Sequence, residues 1–314
     1  MVLRTLTVAA GMTAILAVAP AAAVAARPNV RLAGVHAMDG RMVGLAAARF
    51  TVRGRVPPAR AGGSAEIAFR RSGRAVKVAR LQIGPDGRFA ARFRPGMPGQ
   101  ITVRIRTDGL ATAWRRVLVL RPLAAPGERG PHIRFLQQRL AALGYQAPAT
   151  GRLDGAAQRA VLAFRKVNGL LRVTNASRAV FGLAAAGRGG FPVRFPRHGR
   201  HVEGDLTRQV LALVEPGGRV HRIYPISSGR PGLRTPTGTF RVFSHHWGWR
   251  GGMLDGSYFV HSQGFTCGIH GYPWVPTYPA SHCCLRVPIP DAHHIRWWVH
   301  LGTVVDVYHR PYSR

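Results

Sequence analysis

The chain has 314 residues, 46% of them hydrophobic, with 45 Lys and Arg against 12 Asp and Glu, a formal charge of +33. That length and apolar content suit a folded chain of two or three domains with room for large cores. The charge invites a nucleic-acid reading, but only Lys77 and Lys166 are lysines and the arginines are scattered from end to end, as GC-rich coding would leave them, which weakens it; an anionic cell envelope is the more natural counter-surface.

In residues 1–26, Arg4 precedes an apolar run and then a series of alanines. This is the layout of a secretory signal peptide with cleavage positions near Ala23 to Ala26. A membrane anchor is the rival reading, since the apolar run is of marginal spanning length. The expectation is a secreted, periplasmic or cell-wall protein that meets a membrane only if this segment stays uncleaved.

Residues 28–121 read as β-structure. "ARFTVRGRV" and "QITVRIRT" alternate apolar and polar residues, as half-buried strands do. Asp86-Gly87 is a turn signal leading into "RFAARF", and "PPARAGG" and "PGMPG" are breakers. The pattern predicts an immunoglobulin-like β-sandwich with no catalytic spacing in it.

Residues 122–184 change period. Ile133, Leu136, Leu140 and Leu143 share one helical face that Gly144 can end. Asp154 can cap a second helix with Ala160, Val161 and Phe164 on its buried stripe, and Gly169 stops it. A third short helix is predicted through "ASRAVFGLAA". The segment resembles the small peptidoglycan-binding module of bacterial wall enzymes at Arg129-Gly130, Leu136-Gln137, Leu143-Gly144-Tyr145, Asp154-Gly155, Ala160-Val161, Phe164 and Gly169-Leu170. Gln158 stands where that family usually has threonine and Arg165 where it usually has glutamine. The resemblance implies a three-helix bundle that binds wall glycan.

A Gly- and Pro-rich linker follows over residues 185–199, and alternation returns over 200–309. Here the chemistry concentrates. Cys267, Cys283 and Cys284 are the only cysteines, and His270 and His282 lie among them. A thiol beside an imidazole can become a thiolate nucleophile, given a group to hold the ring and N–H donors for a carbonyl oxygen. The Gly271 carbonyl and the amides of Cys283 and Cys284 are candidates for those parts. A zinc site drawing on His245, His246, His270, His282, Cys283 and Cys284 is a poorer reading, because adjacent cysteines do not easily chelate one tetrahedral ion. Purely structural cysteines are a third. His293 and His294 read as solvated positions on a helix that turns Ile295, Trp298 and Val299 inward.

The last stretch also resembles the catalytic domain of the L,D-transpeptidases, the YkuD-like enzymes of bacterial cell walls. The matching elements are Tyr224-Pro225 with Ser228-Gly229, Thr235 to Phe240, Ile269-His270-Gly271, Ser281-His282 with Cys284-Leu285-Arg286, Asp291-Ala292 and Gly302 to Val305. The resemblance implies a mainly β catalytic sandwich and a cysteine acyltransferase that needs no metal or organic cofactor. It implies Cys284 as nucleophile, His270 as base with Gly271 holding it, and Ser281 and His282 as further motif residues. Arg286 and Tyr258 are expected at the substrate, which would be peptidoglycan stem peptides and glycan. The reaction implied is 3→3 cross-linking through a thioester; stem hydrolysis and a silent wall-binding protein are the alternatives.

The family motif is Ser-His-Gly-Cys, and this chain has Cys283 in the glycine place. Glycine there permits an unusual turn that aims an N–H at the oxyanion. Odd sequence steps separate Cys267 from His270 and Cys283 from Cys284, so if His270 and Cys284 meet on one face, Cys267 and Cys283 can meet on the other. A Cys267–Cys283 disulfide with Cys284 free is therefore expected.

Overall fold

The computed structural model describes residues 29–57, 61–107 and 110–310; the expected signal peptide lies outside them. Ten strands come first: β1 (Asn29–Ala33), β2 (Val35–Met38), β3 (Arg41–Leu45), β4 (Phe50–Arg55), β5 (Ser64–Arg71), β6 (Arg74–Gln82), β7 (Arg88–Phe93), β8 (Gly99–Thr107), β9 (Leu110–Ala111) and β10 (Arg115–Leu120). They form two sheets, β1-β4-β7 and β2-β3-β10-β8-β5-β6 with β9 beside β8. Alternation sends Val30, Val52, Phe89 and Ala91 of the first sheet against Ile67, Phe69, Val103 and Ile105 of the second. Most pairs are antiparallel, but β3 and β10 run parallel.

Three helices follow: α1 (Pro131–Ala142), α2 (Gly155–Val167) and α3 (Arg178–Ala185). Asp154 caps α2 by accepting from the Ala157 amide at 2.9 Å, and Gly144 and Gly169 take positive φ of 90° and 64° just beyond α1 and α2. Arg165 is buried, yet its guanidinium donates to the Leu171 and Asn175 carbonyls at 3.0 Å and so closes the loop after α2.

Residues 186–199 hold no helix or strand but are fastened to what flanks them. Tyr145 donates its hydroxyl to the Gly189 carbonyl at 2.7 Å, and the Arg194 and Phe195 amides each reach the buried Glu203 carboxylate at 2.8 Å.

The remaining elements are β11 (His201–Asp205), β12 (Val210–Glu215), β13 (Arg219–Pro225), β14 (Gly238–Arg241), β15 (Ser244–His245), β16 (Trp249–Arg250), β17 (Met253–Ser262), β18 (Phe265–Tyr272), β19 (Leu285–Pro288), α4 (Ile289–Trp298) and β20 (Val304–Tyr308). One sheet runs β13-β12-β11-β20-β14 and the other β15-β17-β18-β19, with β16 beside β17. Their shared core includes Leu211, Leu213, Phe259, Ile269, Leu285 and Val287, with Ile295, Trp298 and Val299 around α4. The description as a mainly β catalytic domain accompanied by helices holds. The expectation of two solvated histidines on α4 holds for His293 but not for His294, which is half-buried, bonded to the Tyr224 hydroxyl at 2.6 Å and stacked on His221.

One apolar core joins all three regions, running from Val43, Leu45 and Leu120 through Leu136, Phe164 and Phe181 to Val210, Ala212 and Ile223. Cations of the helical region fix it to the two sheets that follow. Arg159 pairs with the buried Asp291 of α4 at 3.0 Å, and Arg172 donates to the Thr207 and Thr277 carbonyls. Lys166 is 2% exposed and donates to the carbonyls of Gln209 at 3.1 Å and Ile226 at 2.8 Å.

Burial pushes the Lys166 amine down to about 7, and Arg172 adds to the effect. A neutral amine has two N–H groups, and two carbonyls are there to receive them. The unfolded amine holds its proton up to 10.5. The cost of burying charge is therefore full below pH 7 and declines between 7 and 10.5, where only the unfolded chain keeps the proton. Wild-type stability is expected to gain on a Lys166→Met variant over that window, by up to about 1.4 kcal/mol per pH unit. Urea unfolding of both proteins at pH 6.5, 8 and 9.5 measures it; a constant difference would contradict the assignment.

Candidate active site

β18 and β19 run parallel, with Ile269 opposite Leu285 and His270 opposite Arg286. This pairing sets the end of the 273–284 loop beside the middle of β18. Cys267 of β18 is bonded to Cys283, their Cα atoms 5.5 Å apart, and Cys284 is the free thiol. Behind the loop, Ser227 and Arg286 exchange both backbone hydrogen bonds at 3.0 Å, and the Ser281 amide donates to the Ser228 carbonyl at 3.0 Å. Ser281 Oγ donates to the Cys284 carbonyl at 2.5 Å, which bends the chain tightly just before the thiol. Gln209 in turn holds Ser228 through the backbone amide at 2.9 Å and the hydroxyl at 2.7 Å.

Cys283 has φ of +103°, in the region that L side chains rarely adopt. The chain thus makes the turn that the motif's glycine would make, and holds it through a covalent tie to β18. Among the described residues, the Cys283 and Cys284 amides donate to no other group.

His270 is 3% exposed, and its Nδ1 lies 3.0 Å from the Gly271 carbonyl. Donation from Nδ1–H to that oxygen leaves Nε2 as the basic nitrogen. A Cβ on Gly271 would stand 2.7 Å from the Ala292 methyl and 3.1 Å from Leu254 Cβ, so no side chain fits between β18 and α4. Burial is the main cause that drops the imidazole to about 4; the Gly271 bond opposes this, and Arg286 and His246 add to it. Burial likewise pushes the Cys284 thiol up, against a backbone hydrogen bond at Gly268 and the charge of Arg286. The thiol donates weakly to the Thr266 carbonyl at 3.7 Å.

Cys284, His270, Ser281, His282, Arg286 and Tyr258 all line one cavity of about 790 Å³, which Phe243, Arg250, Met253 and Phe265 extend toward solvent. The residues singled out in the sequence do not stand equally close to its floor. His282 is exposed and stacks on Phe265 at 5.7 Å, so it belongs to the rim. Arg286 is buried with its guanidinium 4.0 Å from the Tyr272 ring centre. Tyr258 holds His246 Nδ1 at 3.3 Å, and burial followed by the Cys284 charge raises its phenol. The Thr266 carbonyl, Gly268 and the Gln209–Ser228 brace were not anticipated, and His246 only as a candidate zinc ligand. Only Ser228 had a sequence signal, as part of the Ser-Gly element.

The arrangement can perform nucleophilic acyl transfer: a free thiol and an imidazole with its second nitrogen fixed line one cavity, and the unengaged amides of Cys283 and Cys284 belong to the turn at the thiol. Both titratable partners rest neutral. Without substrate, the rate of Cys284 alkylation by iodoacetamide should therefore show no plateau in acid and should climb only above the usual cysteine range near pH 8.5. A rate already maximal at pH 5 would signal a preformed thiolate–imidazolium pair and contradict this.

A second test concerns the turn. A Cys267→Ala/Cys283→Gly variant loses a cross-link worth about 3 kcal/mol but relieves about 1–3 kcal/mol of backbone cost. Its urea stability should fall by no more than about 2 kcal/mol, with the free thiol still alkylated at Cys284. A Cys267→Ala/Cys283→Ala variant keeps the backbone cost and should fall further.

Comparison with known proteins bears on the family. An L,D-transpeptidase catalytic domain model matches residues 199–307, and a peptidoglycan binding domain model matches 129–174. An L,D-transpeptidase crystal structure from Xylanimonas cellulosilytica is 34% identical, covering 59% of this chain and 97% of that one, with a TM-score of 0.54. Another from Stackebrandtia nassauensis is 23% identical, covering 60% and 96%, with a TM-score of 0.37. No curated protein matches the chain.

Proposed function

The chain belongs to the L,D-transpeptidase family and carries a peptidoglycan-binding domain, and from that premise we propose that it is a cysteine transpeptidase forming 3→3 cross-links in peptidoglycan. The observation that carries this reading is the free thiol of Cys284 sharing a cavity with the neutral, Gly271-held imidazole of His270.

Cys284 Sγ attacks the carbonyl between the third and fourth residues of a tetrapeptide stem while His270 Nε2 takes the thiol proton. Since burial opposes both ions, proton transfer accompanies attack and does not precede it. The amides of Cys283 and Cys284 receive the developing oxyanion. The imidazolium then protonates the departing amine, the fourth residue leaves, and a thioester remains on Cys284. An amine on the third residue of a neighbouring stem attacks it, His270 takes the amine proton, and the new amide bond frees the thiol. Tyr258 and Arg286 line the path of the stem, and the buried Arg286 offers a fixed positive charge to a substrate carboxylate. The helical module would hold glycan while the cavity works on the stems. An exported protein fits the disulfide, which persists in oxidising compartments.

Incubation with a tetrapeptide-stem muropeptide should yield a cross-linked dimer by mass spectrometry. Cys284→Ala should lower the rate by at least about a thousandfold, as loss of a covalent nucleophile does. A tripeptide monomer as the only product would assign hydrolysis instead, and no product would leave a silent wall-binding protein.

A further inference from the structure

The outward face of the β1-β4-β7 sheet carries no carboxylate. Its cross-strand rows are Asn29–Arg55–Arg88, Arg31–Arg53–Ala90 and Ala33–Thr51–Arg92. Every arginine in these rows is exposed, and the intervening residues are small and uncharged. Arg31 lies directly opposite Arg53, and Arg55 directly opposite Arg88, pairings that destabilise a sheet when nothing lies between the charges. Asp86 at the edge reaches Arg88 alone, at 3.4 Å. Among the described residues, Arg31, Arg53, Arg55 and Arg92 make no ion pair or side-chain hydrogen bond. Arg31, Arg53, Arg55 and Arg88 line a cavity of about 1020 Å³ on this sheet.

Coding bias supplies arginines to both sheets, but on this face they oppose one another across the strands, whereas several in the neighbouring sheet are engaged. There Arg80 pairs with Glu66 at 3.1 Å, Arg70 and Arg104 lie over the Trp114 ring, and Arg71 donates to the Pro98 and Met97 carbonyls. Residues 28–121 carry 19 Lys and Arg against 4 Asp and Glu. Arg74, Arg115 and Arg116 of the neighbouring sheet are likewise exposed without an ion pair among the described residues, but none of them lies opposite another unpartnered arginine.

We propose that this face is a binding site for a linear phosphodiester polymer of the cell wall. Phosphates threaded along the groove would sit between the opposed guanidiniums, which are suited to phosphate by their planar donor forks. Arg53 and Arg55, two residues apart on one strand, present charges about 7 Å apart along the chain direction. The cavity sets the small residues Asn29, Ala33 and Ala90 among Arg31, Arg53, Arg55 and Arg88, which leaves room for a single flexible strand between the charges. The proposal takes the wall location from the functional reading above but makes no use of the thiol.

Poly(glycerol phosphate) binding by the full chain tests it, by calorimetry at several salt concentrations. Arg31→Ser/Arg53→Ser/Arg55→Ser should weaken binding about tenfold or more and flatten the salt dependence. Arg74→Ser/Arg115→Ser/Arg116→Ser, which removes equal charge from exposed positions elsewhere in the same domain, should change it less than about twofold. Equal losses in the two variants, or no binding by wild type, would overturn the site. Duplex DNA or phosphatidylglycerol vesicles bound more tightly with the same arginine dependence would overturn the occupant. Cross-linking of free muropeptides should be unchanged in the first variant. Absence of cross-linking by the wild type together with normal polymer binding by it would count against the transferase reading only.

Discussion

The bond between Cys267 and Cys283 is the constraint on which the site depends. Residue 283 must take a backbone conformation that costs a side-chain-bearing residue roughly 1–3 kcal/mol, and the cross-link to β18 closes a loop worth about as much. Where glycine would reach this turn by conformational freedom, the chain reaches it by covalent attachment. The consequence is positional: the tie draws the loop end against the same strand that bears His270, so thiol and imidazole open on one cavity. It also disposes of two of three thiols, so that the one left unbonded is the one at the cavity floor.

Behind that tie the support is polar and reaches into the helical region. Ser227 and Ser228 hold the segment from Ser281 to Arg286, Gln209 holds Ser228, and Lys166 of α2 holds the carbonyls of Gln209 and Ile226. Three hydrogen-bonded steps thus connect a helix of the peptidoglycan-binding domain to the cysteine loop. With the continuous apolar core, this makes the module part of the scaffold of the site, whatever it binds on its outer face.

Much of this was legible in the sequence, and the remainder was hidden for physical reasons. Helix ends were readable because Asp154, Gly144 and Gly169 act through local backbone geometry. The cysteine cluster was readable because its residues are few and chemically distinctive. Lys166 was not, since a lysine late in an amphipathic helix reads as a solvated cation, and only packing between regions reveals two carbonyls waiting for it. His294 was misread for the same reason: its partners, Tyr224 and His221, lie 70 and 73 residues away. The residues that brace the loop make mostly backbone hydrogen bonds, which leave little trace in residue identity.

The arginines follow the same logic on a larger scale. A composition that supplies them everywhere carries no functional message, which is why their even spread weakens the reading of a specific partner that the net charge invites. The fold then sorts them. In the catalytic region Arg310 pairs with Asp205, and Arg286, Arg296 and Arg200 lie over the rings of Tyr272, Trp247 and Trp298. Each of these is held by a neighbour. On the β1-β4-β7 face identical residues meet one another across the strands, and of these only Arg88 has such a neighbour, Asp86. A charge whose partner is present within the molecule helps to build it; a charge set against its like, in a groove, is complementary to something outside. Partnering, more than abundance, separates structural arginines from those available to a ligand.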